Sequence, residues 1–255
     1  MPVDFNKTNP EDVLKRELLS EYRAKMTEFH LRLISLKVDL FIVQKIVDFP
    51  LGMFTVLEGG LFLTRVVQNF GLMAVLKITA MATDQGSDAR TLTKFKDFMD
   101  LAIKDEFRDE YRQLLKGVKF GTRTRSLLKK AKTLRDTQIA HPLRDPAVEL
   151  EPDEIMTFSE VKLLADELVR LFEVASFSSE YHYLPVSYDP RVRHPAGSDY
   201  RPDIEKLLDC IARESSVIRT PEEHPEMWPY RRERWSQTKI DRFNDYRRKF
   251  GLPEV

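Results

Sequence analysis

Three residues whose types suit phosphate chemistry stand close together, in the run Arg135-Asp136-Thr137-Gln138-Ile139-Ala140-His141-Pro142. A guanidinium is planar, permanently charged and can donate two parallel hydrogen bonds to a phosphate. An imidazole gives or takes a proton near neutral pH, and the carboxylate between them could orient either partner. Pro142 has no N–H to continue a helix and pushes the preceding residue out of the helical region, so the spacing predicts a helix ending at His141. At such an end the unpaired carbonyls favour the protonated imidazole by roughly 0.3–1 kcal/mol. On an ideal helix, Arg135 and His141 lie about 120° apart at roughly 100° per residue. Only a long side chain, or a second copy of the site, brings both onto one phosphate.

The motif closes a basic stretch. From Tyr111 to Arg135 the chain carries Arg112, Lys116, Lys119, Arg123, Arg125, Lys129, Lys130, Lys132 and Arg135 with no Asp or Glu, although its formal net charge is zero. Such an imbalance marks a surface for an anion, phosphate being the usual one. Leu127, Leu128, Ala131, Leu134, Gln138 and Ile139 recur at helical spacing, so one face packs while the cations point outward. A purely structural reading stands beside this one. Arg135 pairs with Asp136 or Glu160 in that reading, or extends a solvated face, and His141 caps carbonyls.

The elements that must position these residues read as helices. Asn9-Pro10-Glu11-Asp12 has the cap, first-turn proline and acids of a helix start. The apolar pattern from Val13 to Val47 predicts one long helix or two nearly collinear ones, broken at Phe49-Pro50-Leu51-Gly52. Met53 to Met81 is the most apolar stretch. Glu58, Arg65 and Lys77 interrupt it too often for a membrane span, so it is expected to be a central bundle helix buried on more than one side, with Gly59-Gly60 as a possible kink. Another helix is predicted from Ser87–Arg90 to Leu115 with Gly117 as its stop. Thr157-Phe158-Ser159-Glu160 is a capping box that opens a helix to about Ser176. Four to five long helices without alternating, strand-like runs predict an all-α, antiparallel up-and-down bundle over residues 1–180.

Residues 181–255 differ in composition and hold eight of the fourteen prolines. Two short helices are expected there, Pro202–Ser215 and Trp235–Phe250 with Gly251 as the stop. The remainder should be ordered loops packed on the bundle, since Tyr181, Tyr183, Tyr188, Tyr200, Trp228, Tyr230 and Trp235 are too aromatic for a disordered tail. Arg231, Arg232 and Arg234 beside the tryptophans could clamp nucleic acid or form a solvated face.

Several chemistries are excluded. There is no glycine-rich phosphate loop, strand-turn-helix serine motif or HExxH pattern. His30, His182, His194 and His224 lack cysteine or carboxylate partners at metal spacing, so neither a metal nor a cofactor is expected. Cys210 is the only cysteine, which allows no intrachain disulfide. With a polar start lacking a signal-peptide pattern, it leads us to expect a cytoplasmic protein.

At Arg135, Asp136 and His141 the sequence resembles the HEPN superfamily, whose signature is an Arg, a small polar or acidic residue and, after a short gap, a His. The preceding basic helix, Ala140 beside the His, and the stretch Asp84–Leu92 with its break and following helix resemble the abortive-infection, AbiU-like branch. What the resemblance implies is a metal-independent endoribonuclease. It would act as a homodimer with the motif helices face to face, as a toxin or anti-phage effector under an antitoxin or other regulatory partner. His141 would move the proton and Arg135 would stabilise the phosphate, with Asp136 orienting one of them. Arg125, Lys129, Lys130, Lys132 and Arg144 would hold the RNA backbone. Some relatives are silenced at a tyrosine just after the motif His. Here Pro142 and Leu143 stand there, so the sequence departs from that subgroup. The alternatives are a helical module that binds nucleic acid or nucleotide without turnover, and a partner protein whose basic helix meets an acidic surface.

Overall fold

In the computed structural model the described residues are 5, 8–54, 57–83, 91–139, 156–177 and 203–255, and they form an all-α protein. The helices are α1 (Pro10–Val13), α2 (Leu19–Asp48), α3 (Leu51–Phe54), α4 (Leu57–Thr83), α5 (Leu92–Ala102), α6 (Arg108–Gly117), α7 (Thr122–Leu134), α8 (Phe158–Ala175), α9 (Asp203–Glu214), α10 (Ser216–Glu223), α11 (Trp228–Glu233) and α12 (Gln237–Lys249). They fall into two compact units, Met1–Leu40 with Asn69–Ser187, and Phe41–Gln68 with Tyr188–Val255. Residues 41–68 therefore group with the C-terminal helices and not with the rest of the N-terminal bundle.

The core of the first unit follows from the spacing on α2. Tyr22, Met26, Phe29, Leu33, Leu36 and Leu40 are all buried, and their alternating steps of four and three make a seam like that of a coiled coil. Against it pack Ala74, Val75, Ile78 and Met81 of α4, Phe95 and Met99 of α5, Tyr111 of α6, Leu128 and Ala131 of α7, and Leu164, Leu168 and Phe172 of α8. Two buried tyrosines finish α8. Tyr111 donates at 2.6 Å to the Ala175 carbonyl, one that the helix end leaves unpaired, and Tyr22 donates at 2.8 Å to the Phe177 carbonyl just past it. Burial pushes the Tyr111 phenol well above its ordinary value, so it remains a donor.

Two breaks interrupt helices that the apolar pattern predicts as continuous. After α1 the backbone is extended at Leu14, and a 3₁₀ turn, Arg16–Leu18, leads into α2. After α5 it is extended at Ile103, and Asp105–Phe107 leads into α6. The breaks pair with each other. Lys15 N–H donates to the Ala102 carbonyl and Lys104 N–H to that of Val13, at 2.8 and 2.9 Å. Each lysine also caps the other helix, Lys15 Nζ on Leu101 O and Lys104 Nζ on Asp12 O. A pairing across almost ninety residues leaves no trace in local periodicity.

The expectation for Met53–Met81 needs correction. Helix α4 runs unbroken through Gly59–Gly60, but it buries one stripe and leaves Phe62 and Met73 exposed. By length and composition Phe62–Thr83 would suffice to cross a bilayer, despite Arg65 and Lys77, and 28% of its apolar window is buried. Bundle-core helices pass the same measure. Lys77 pairs with the buried Asp39 at 2.5 Å and with Ser35 Oγ at 2.7 Å. Lys77→Met would strand that carboxylate, at an expected cost of about 2–3 kcal/mol. This is less than the roughly 3–5 for a fully buried pair, because Lys77 keeps some water. Urea unfolding measures it, and adding Asp39→Leu should recover most of the loss.

In the second unit Phe49, Phe54, Leu63, Leu208, Ile218, Trp228 and Phe243 form a separate core. Helices α9 and α12 match the two expected there. The other two, α10 and α11, replace expected loops, because their prolines sit where a helix admits them or are outweighed by capping. Pro229 lies in the first turn of α11, and Ser215 caps α10 although Pro221 lies inside it. Gly251 has φ 73°, and Leu252 N–H returns to Arg247 O at 2.8 Å, closing α12 in a Schellman motif.

Candidate functional site

Helix α7 starts at Gly121, whose left-hand neighbours carry no acid, and it buries Thr124, Leu128, Ala131 and Leu134. The burial fixes the opposite face. Arg125, Lys129 and Lys132 are all exposed, and at roughly 100° per residue they lie within about 60° of one another. Continuing the stripe one turn further reaches Asp136, whose Oδ1 accepts a 2.8 Å hydrogen bond from Arg135 Nε. The structure thus brings Arg125, Lys129, Lys132, Arg135 and Asp136 onto one helix in the expected order. The Arg135 side chain is 17% exposed and that of Asp136 45%.

Two of the cations in the stretch are engaged by acids from other helices. Lys130 Nζ meets Glu160 at 3.3 Å, tying α7 to the first turn of α8. Arg112 makes a two-pronged pair with Asp100, at 2.7 and 2.9 Å. Lys130 therefore faces α8, away from the Arg125–Lys132 stripe. Glu160 serves as expected in the capping box, its carboxylate accepting from Thr157 N–H at 2.7 Å. That backbone bond, with Lys130 beside it, holds its carboxyl below the usual range. Its contribution is complete above the ordinary carboxylate pKa and is lost as pH falls through the lowered one.

The helix changes form at the motif. Arg135–Ile139 is a single π turn, which spacing analysis did not anticipate. Thr137 and Thr133 both bond back into the preceding turn. The Thr137 hydroxyl donates at 2.8 Å to the Thr133 carbonyl, the acceptor that an α-helix would assign to Thr137 N–H, and Thr133 does likewise to Lys129 O at 3.2 Å. Such back-bonding competes with the ladder, but the same bonds at Thr79 and Thr83 leave α4 regular, so it accompanies the wider i→i+5 turn and does not account for it. π turns occur often at functional sites. The 100° step no longer holds between Arg135 and Ile139, so the ideal angle to His141 does not carry over.

His141, Arg144, Pro142 and the expected helix stop lie outside the described residues, as do Asp84–Arg90 of the upstream stretch. Among the described residues no group of three or more His, Cys, Asp or Glu could hold a metal ion.

Comparison with curated proteins and with solved structures gives no significant match. A family model does match. It is HEPN_AbiU2, described as AbiU2, and it covers residues 56–181, a span that includes α7, the π turn and α8. Over these residues, just under half of the chain, the sequence is similar to the AbiU2 family of HEPN proteins.

Proposed function

We propose that the protein is a metal-independent endoribonuclease whose site is built around Arg135 and His141. The observation that carries this reading is the π turn that begins at Arg135, at the end of an exposed cationic stripe and inside the segment matched by the HEPN family model. In this reading the ribose 2′ hydroxyl beside the scissile phosphate attacks the phosphorus in line. The 5′ oxygen leaves, and a 2′,3′-cyclic phosphate remains. His141 takes the hydroxyl proton or supplies one to the leaving oxygen. Arg135 donates to the phosphate oxygens as charge develops on them, and Asp136 holds the guanidinium through Nε. Arg125, Lys129 and Lys132 track the strand through its phosphates without reading bases. A second copy of the chain meeting at the motif helices would supply the complementary half of the site, and an antitoxin or regulator would control it as a toxin or defence effector.

The test is a labelled single strand offered as RNA and as its all-deoxy counterpart. Cleavage of the RNA alone is expected, because only it carries the attacking hydroxyl. Arg135→Ala should lower the rate by about 100- to 1000-fold, the typical loss on removing one donor to a developing oxyanion. Equal cutting of both strands would end the proposal. One observation favours the non-catalytic module, namely that Arg135 already pairs with Asp136 as a structural arginine would. That module predicts salt-sensitive RNA binding with no turnover by any variant.

A further inference from the structure

At the N-terminal end of α7 lies a cavity of about 290 Å³ between the starts of α5 and α7. Its polar wall consists of Lys96, Lys119, Arg125 and Thr93, while Val118 and Phe120 form part of its apolar side. No carboxylate lines it among the described residues, although Asp97 acts on Lys96 from outside the lining. In a chain whose acids and bases are equal in number, that is a strong local bias. The cations are held in place. Lys96 Nζ donates to the Val118 carbonyl at 2.7 Å, and Arg125 Nε donates to that of Phe120 at 3.0 Å. These bonds fix where the charges sit while using one donor of each group, whose inventory is three and five. Burial pushes the Lys96 ammonium below its ordinary value, which marks a cation short of water. An anion would restore what the burial removes. The positive end of the α7 dipole adjoins the same space, since Lys119 and Phe120 precede the helix and Arg125 lies in its first turns.

Arg125 is also the first member of the exposed stripe that runs to the Arg135–Asp136 pair. Ten helical residues separate Arg125 from Arg135, about 15 Å at 1.5 Å per residue, or roughly four nucleotide steps at a stacked rise of 3.4 Å. We propose that this cavity is a phosphate-binding subsite that holds a backbone phosphate of the bound RNA several nucleotides from the one at Arg135. The proposal rests on the reading of Arg135 as the phosphate-binding group of the cleavage site.

The experiment uses 2′-O-methyl strands, which carry the phosphates but cannot be cut, in lengths of three and ten nucleotides. Their affinity for the full chain is followed by fluorescence anisotropy across a salt series. Lys119→Gln with Arg125→Gln removes two exposed cations, and circular dichroism checks the helices. The pair should weaken the ten-nucleotide strand by at least tenfold and reduce its salt slope by about 1.4, which is 0.7 per lost contact. The three-nucleotide strand cannot reach both places and keeps the Arg135 place in the variant, so its affinity should fall much less than that of the ten-nucleotide strand. Equal loss for both lengths would mean diffuse attraction by the helix, and no loss for either would mean an idle cavity. Each of these overturns the subsite. Inorganic phosphate supplies a third arm. If it binds the parent and not the variant while the long strand binds both equally, the cavity takes free phosphate and the strand assignment fails. Arg135→Ala separates the two readings. Unchanged affinity for both strands in that variant, with the cavity effect intact, would remove the cleavage-site reading and leave the pocket standing.

Discussion

His141→Ala is expected to lower the RNA cleavage rate by about 100- to 10,000-fold, the usual contribution of a positioned proton carrier, while leaving RNA affinity nearly unchanged. The reasoning separates binding from chemistry. Backbone phosphates are held by charge, and the stripe of Arg125, Lys129 and Lys132 remains intact in the variant. Proton transfer has no substitute on α7, whose residues include no His, Asp, Glu, Cys or Tyr. The rate should therefore fall without a matching rise in KM. His141→Gln, which keeps a donor but cannot exchange a proton near pH 7, should behave like His141→Ala. Recovery in the Gln variant would mean that the His acts only as a hydrogen-bond donor.

The second large effect is structural. Arg247 is completely buried in the second unit, with its guanidinium over the Phe243 ring. It donates to the Pro253 carbonyl at 2.6 Å, to Ile218 O and to both Glu222 oxygens. One side chain thus ties α10, α12 and the C-terminal segment together. Arg247→Ala removes those bonds, leaves a void and strands two carbonyls, while the half-exposed Glu222 regains water, so a loss of about 2–4 kcal/mol is expected. Trp228 and Trp235, the only tryptophans, pack edge to face on each other, with Trp228 stacked on Phe243 and Trp235 edge to face against it. Their fluorescence reports this unit directly during urea unfolding. Arg248→Ala, next in sequence but exposed and paired only at the surface, should leave the midpoint almost unmoved. Equal shifts in the two variants would refute the anchoring role of Arg247.

Local chemistry made part of this structure legible in the sequence. The Thr157–Glu160 capping box, Gly251 at the end of α12 and Leu128, Ala131 and Leu134 of the α7 stripe each depend on residues within one or two turns, and each stands where the sequence predicts. The breaks at Leu14 and Ile103 were not legible, because the two segments satisfy each other's backbone across the fold. Proline misled in α10 and α11. Residue type marked Pro229 as a helix breaker, while its position in a first turn made it harmless. At the site, charge identified Arg125, Lys129 and Lys132 as outward-facing. It could not show that Lys130 turns to Glu160 or that Arg112 pairs with Asp100, since those acids lie on other helices. The π turn was hidden for a different reason. Thr133 and Thr137 bond back into the preceding turn just as Thr79 and Thr83 do in the regular α4, so residue type there carries no signal of the wider turn.

The most direct test of the central claim is the chemistry of the product ends. The purified protein and its His141→Ala variant are incubated with a defined single-stranded RNA in EDTA, and the fragments are analysed by mass spectrometry. Cleavage by the parent alone, leaving 2′,3′-cyclic phosphate and 5′ hydroxyl ends, is the predicted result. Cleavage by both proteins alike, or 5′ phosphate ends from the parent, would contradict the assignment of the reaction to Arg135 and His141.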